Sequence, residues 1–148
     1  MTRIALMIVA ALALAIPAAQ AADPKGEANK KVVLDFYEKA INQKNYEAAA
    51  VHFGPRYTQH NPNAADGPEG LKAFLGFLRE KFPMSRSEVK RVFAERDYVI
   101  LHVHAVREPG TRGSAIVDIF KLENGKIVEH WDVVQPVPEK ALNANGMF

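Results

Sequence analysis

A chain of 148 residues, 48% of them hydrophobic, is the size of one folded unit with its own core. Its formal charge is +2, from 19 Lys and Arg against 17 Asp and Glu. That balance offers no basic face for a phosphate backbone and argues against nucleic acid as a partner. With no cysteine, the fold rests on packing without disulfides, and no thiol does chemistry.

The start of the chain reads as a targeting segment. Arg3 precedes an apolar run over residues 4–16, followed by Pro17 and the small-residue stretch Ala19-Gln20-Ala21. A basic start, a short apolar stretch and a small-residue cleavage site predict a signal peptide over residues 1–21 and a domain over residues 22–148. The run is short for a membrane span, so a retained anchor is the lesser alternative. The expected location is periplasmic or secreted, with no membrane contact after signal removal.

Asp23-Pro24 predicts a helix start. Val32, Val33, Phe36, Tyr37, Ala40 and Ile41 then fall on one face of a helix over residues 28–43. A short helix is expected over residues 46–53, ending at Gly54-Pro55. Residues 56–66 are polar and rich in Asn and Pro, and read as a loop that carries Tyr57, His60 and Asn61. Gly67-Pro68 opens a third helix whose face is Leu71, Phe74, Leu75, Leu78 and Phe82, closed by Pro83. After that the apolar period changes to two. Strands are expected over residues 89–94, 98–106, 113–122 and 126–135, with a loosely held tail beyond. Helices followed by strands indicate an α+β fold, with helices covering one face of an antiparallel sheet.

The last two strands flank Asn124-Gly125, which suits the positive φ values of a type I′ turn. With a two-residue loop, Glu123 faces Lys126 and Leu122 faces Ile127. Continuing outward, Phe120 faces Glu129 and Asp118 faces Trp131. Cross-strand partners share a face. In this register Asp118 and Trp131 lie on one side, His130 and Asp132 on the other. A β-bulge would flip part of that assignment.

This hairpin also carries a resemblance. Asp118-Ile119-Phe120-Lys121, the run from Gly125 to Asp132, and Gln135 are similar to the signature of SnoaL-like polyketide cyclases, within the nuclear transport factor 2-like fold. Tyr57-Thr58-Gln59-His60-Asn61-Pro62 with Asp66-Gly67, and the stretch Asp97-Tyr98-Val99-Ile100-Leu101-His102, match as well. The resemblance implies a cone: a curved antiparallel sheet of about four to six strands on three N-terminal helices, enclosing a deep pocket. It implies no metal and no organic cofactor, and a homodimer formed through the outer sheet face. Val99, Leu101, Val103, Val117, Ile119 and Val128 are the expected apolar residues of that face.

Asp118 is the first candidate for chemistry. A carboxylate among Val117, Ile119 and Phe120 is partly desolvated, which favours general acid or base work near neutrality. The resemblance implies the same role, since the family's acid/base aspartate for intramolecular aldol closure matches this position. A structural pairing with Arg107 or Arg112 is the alternative. His102 and His60 are candidate partners in proton transfer, and a loop histidine capping a helix is the alternative for His60. His102 and His104 share a strand face, and with His60 or Asp118 they form a less favoured metal set. Tyr57 and Asn61 are candidate donors to a substrate carbonyl. Trp131 is a candidate pocket wall, with core packing as the alternative, and His130 is a candidate ligand contact or an interface residue. The function expected is a cofactor-independent acid/base enzyme acting on a small carbonyl-containing molecule: an aldol-type cyclase, isomerase, dehydratase or hydrolase. A non-catalytic periplasmic binding module and a dimeric interaction protein are the alternatives.

Overall fold

The computed structural model describes residues 23–148. The expected signal peptide, residues 1–21, lies outside the described residues. Helix α1 spans Pro24–Tyr37 and continues as a π-helical turn, Glu38–Asn42. Asp23 caps it, its carboxylate accepting from the Lys25 N–H at 3.0 Å. Helix α2 spans Tyr46–Ala50 and α3 spans Gly67–Lys81. Among the described residues no helix is long and apolar enough to cross a membrane.

Five strands form one sheet: β1 Phe53–Gln59, β2 Arg86–Glu95, β3 Tyr98–Val106, β4 Ser114–Glu123 and β5 Lys126–Pro136. Their spatial order is β1-β5-β4-β3-β2. The pairs β2–β3, β3–β4 and β4–β5 are antiparallel, and β1 joins the far edge parallel to β5. Strand β1 replaces the first part of the expected loop. Its Gly54-Pro55 and its polar side chains read as loop signals, but an edge strand tolerates proline and keeps one face in water. The core lies between the sheet's inner face and the helices. Val33, Phe36 and Ala40 meet Leu75, Leu101, Phe120 and Leu122 there.

Asn124 and Gly125 have φ values of 52° and 72°, the positive pair that a type I′ turn requires. Beyond the turn the expected register holds for two pairs, Glu123 with Lys126 and Leu122 with Ile127, and then shifts. Val128 is the extra residue of a β-bulge, so Lys121 pairs with Glu129, Phe120 with His130, Ile119 with Trp131 and Asp118 with Asp132. This corrects the expected pairing of Asp118 with Trp131. Asp118, His130 and Asp132 share the inner face, and Trp131 lies on the outer one. The expected outer face is corrected too. Val99, Leu101 and Val103 are fully buried under the helices, and Val128 is buried at the bulge. Val117 is exposed and Ile119 half-buried on the outer side. The tail docks in part, since the Phe148 ring lies 4.4 Å from that of His104.

Candidate functional site

The inner face of the sheet and the helices α1 and α3 enclose a cavity of about 1200 Å³. Asp118, His130, Asp132, Tyr37, Tyr57, Gln59 and Asn61 line one region of it. Each arrives by strand or helix periodicity. Tyr57, Gln59 and Asn61 alternate inward at the end of β1, and His130 and Asp132 alternate inward after the bulge. Tyr37 is the last residue of α1, where the helix widens into its π-turn. Single π-turns recur at functional sites.

Asp118 is 5% exposed and His130 8% exposed. His130 Nε2 lies 3.0 Å from Asp118 Oδ1, and the Tyr37 hydroxyl donates to Asp118 Oδ2 at 3.1 Å. His130 Nδ1 lies 3.0 Å from Gln59 Oε1. That same atom accepts from the Asn61 backbone N–H at 2.8 Å, so it is an oxygen. Gln59 therefore requires a proton on His130 Nδ1. The contact between Nε2 and Asp118 then needs one proton of its own. That proton sits either on Nε2, giving an imidazolium–carboxylate pair, or on Asp118, giving a neutral pair. The dyad is a site with one transferable proton.

Burial, followed by the Asp118 charge, holds the Tyr37 hydroxyl well above the usual tyrosine range. Burial and the same charge push Tyr57 upward. Both stay protonated near neutral pH and act as donors, not bases. The rings of Phe120 and Tyr57 flank His130 at 4.7 and 6.5 Å. Asp132 is half-buried, and Asn61 Nδ2 donates to its Oδ2 at 2.7 Å.

Asp118, His130 and Asp132 also place one ligand atom each within 4.8 Å of one another. One nitrogen and two carboxylate oxygens suit a divalent transition metal ion. The remaining atoms are held by Tyr37, Gln59 and Asn61, as outer partners of metal ligands often are. An ion there would have to displace the proton between Asp118 and His130.

Of the residues expected at the site, Asp118, His130, Tyr57 and Asn61 come together. His60, His102 and Trp131 do not. His60 is exposed beyond the end of β1, stacked on Trp131 with ring centroids 4.4 Å apart, and its Nε2 is 3.3 Å from Glu129 Oε2. His102 is on the outer face of β3, with Nδ1 2.9 Å from an Arg91 guanidinium nitrogen and its ring facing Phe148. His104 is its outer-face neighbour, held by the Arg112 carbonyl at 2.8 Å. Neither joins Asp118, so the expected metal set of these histidines is not assembled. Tyr37, Gln59 and Asp132 are the site members that sequence reasoning passed over. A signal existed for Asp132: Ile127-Val128 breaks the alternation of β5, and a bulge there puts His130 and Asp132 together on the face of Asp118.

The model of the SnoaL-like domain matches residues 33–130 of the chain. No curated protein matches the sequence significantly. Among solved structures, the proposed SnoaL-like polyketide cyclase of Jannaschia sp. CCS1 superposes with a TM-score of 0.63 at 21% identity. The match covers 78% of this chain and 91% of that one. The proposed polyketide cyclase of Acidithiobacillus ferrooxidans gives 0.61 at 20% identity, covering 72% and 87%. AclR, a proposed hydroxylase of Streptomyces galilaeus, gives 0.60 at 21%, covering 75% and 81%. At these identities the likeness establishes the fold, the nuclear transport factor 2-like cone of an α+β sheet and N-terminal helices. The family model spans most of that cone, from α1 to the hairpin that carries His130, and the chain belongs to the SnoaL-like domain family.

Proposed function

We propose that the protein is a cofactor-independent acid/base enzyme acting on a small carbonyl-containing molecule held in its cavity. The observation that carries this reading is the buried Asp118–His130 pair with its single transferable proton. In the ion-pair state Asp118 accepts a proton from the carbon next to the carbonyl. The imidazolium of His130 offsets the charge on the carboxylate, and Gln59 fixes the ring. Tyr57, a neutral hydroxyl in the same cavity, supplies a donor for the oxygen on which enolate charge develops. Returning the proton at another carbon gives isomerisation; attack of the enolate on a second carbonyl, with Asp118 returning its proton to the new alkoxide, gives aldol closure. The test is mass spectrometry of small molecules that co-purify with the protein, followed by product analysis with that ligand class. Conversion by wild type supports the enzyme, whereas a ligand bound and released unchanged supports a binding module.

Two further readings belong to the same proposal. The protein is exported, on the strength of Arg3, the apolar run over residues 4–16 and Ala19-Gln20-Ala21. Fractionation with N-terminal sequencing tests this, and a cytoplasmic protein retaining Met1 contradicts it. The protein is a homodimer through the outer face of β3, β4 and β5, where Tyr98, Val117 and Val133 are exposed around Trp131.

A further inference from the structure

The polar residues of the cavity divide by sign along its length. Asp118 and Asp132 lie in its depth. Arg86, Arg107 and Arg112 line it where the sheet opens, together with Glu139. Arg86 begins β2 opposite Val106, Arg107 follows the end of β3, and Arg112 lies in the turn before β4. Leu101 pairs with Asp118, five positions along β3 from Val106. At about 3.3 Å per residue this separates the arginines from the dyad by roughly 16 Å of strand. The wall between is apolar, from Leu71, Phe74 and Leu78 of α3 and Ile116 of β4.

Among the described residues no carboxylate lies within 4.0 Å of the three guanidinium groups, although salt bridges are frequent elsewhere on the chain. The Arg107 guanidinium rests against the rings of Phe74 and Phe82 at 5.8 and 5.4 Å. Aromatic contact orients the fork without using its N–H donors. Arg86 also lines a neighbouring groove with Glu38 and Glu88, so the excess of positive charge at the mouth is that of Arg107 and Arg112 against Glu139, while the floor repels anions. From this polarity we propose that the substrate is an amphipathic carboxylate. Its anionic head sits on Arg107 and Arg112, an apolar body fills the middle of the cavity, and the reacting carbonyl lies at Asp118. The charges fix orientation, because the reversed ligand would place its head beside two carboxylates.

The inference rests on the proposed function only in taking this cavity as the ligand site. It is tested by titration calorimetry with 6-phenylhexanoate and its neutral amide, 6-phenylhexanamide, on the full folded protein. A charge-assisted, bidentate contact predicts that the carboxylate binds at least about tenfold tighter than the amide. The preference shrinks with added salt and disappears in the Arg107→Gln/Arg112→Gln variant, whose folding is checked by circular dichroism. It survives in Asp118→Asn. Equal binding of the two probes, binding of neither, or a preference that survives the double arginine change overturns the inference. A ligand bound and released unchanged, with the carboxylate preference intact, would remove the enzyme reading and leave this one standing.

Discussion

Asp118 carries two hydrogen bonds in a nearly water-free position, and their donors differ in what they contribute. His130 shares the transferable proton, whereas Tyr37 holds the second oxygen and stays neutral because burial and the Asp118 charge oppose its ionisation. Tyr37→Phe removes that donor and leaves a buried carboxylate oxygen short of a partner, which costs about 1–3 kcal/mol. The expected outcome is a lower urea midpoint with unchanged far-ultraviolet circular dichroism. A midpoint equal to wild type would mean that Tyr37 does not support the carboxylate. Asp118 could be picked out of the sequence because an ionisable residue stood alone in an apolar strand. His102 and His60 were plausible as partners because both lie in stretches that carry the resemblance, but strand parity sends His102 to the outside and His60 lies exposed beyond the end of β1. Tyr37 gave no signal, because a tyrosine on the apolar stripe of an amphipathic helix looks like any core aromatic.

At the scale of elements, the bulge at Val128 decides the site. One inserted residue changes which half of β5 faces inward and so brings His130 and Asp132 to Asp118. The Asn-Gly turn was readable because its chemistry is local. The bulge showed only as the broken alternation at Ile127-Val128, because what stabilises it is the packing of β1 alongside β5. Gly54 of β1 lies against it, and a Cβ at Gly54 would fall 2.6 Å from Val128 Cγ1. Val128 is fully buried and β-branched, so it has little room to turn away. Gly54→Ala is therefore expected to cost about 1–3 kcal/mol through overpacking, measured by chemical denaturation. An unchanged midpoint would show that the bulge yields. The same strands are tied on their outer face by Glu129, whose carboxylate takes Lys121 at 3.0 Å, Arg56 at 3.3 Å and His60 at 3.3 Å. The hydrogen bond from Lys121, aided by His60 and Arg56, holds Glu129 below the usual glutamate range. A carboxylate with a lowered folded pKa stabilises the fold above its unfolded pKa, and that contribution is lost as pH falls through the folded value. Wild type should lose more stability than Glu129→Gln between neutral pH and about pH 3. Parallel curves for the two proteins would remove Glu129 from the acid response.

At the scale of the molecule, the helices-then-strands order and the change of apolar period made the α+β architecture legible. The sheet's closing strand was not, since β1 is a polar edge strand that pairs in parallel with the last strand in sequence. The outer face shows the same limit. Strand alternation marks two sets of residues but does not say which set meets the helices, and Val99, Leu101 and Val103 proved to be the inner set. The dimer proposal accordingly rests on Tyr98, Val117, Trp131 and Val133. Light scattering at micromolar concentration should give twice the monomer mass for wild type and the monomer mass for Val117→Lys/Val133→Lys. A wild-type monomer would refute it.

The central claim is that Asp118 and His130 move a proton to and from carbon. Its most direct measurement is turnover of the identified ligand in deuterated water, comparing wild type with Asp118→Asn. The substitution keeps size and shape and removes the ionisable group. The account predicts that wild type places solvent deuterium on the carbon next to the carbonyl, and that Asp118→Asn lowers the rate by about 100- to 10,000-fold while ligand binding persists. Turnover unchanged in Asp118→Asn would contradict it.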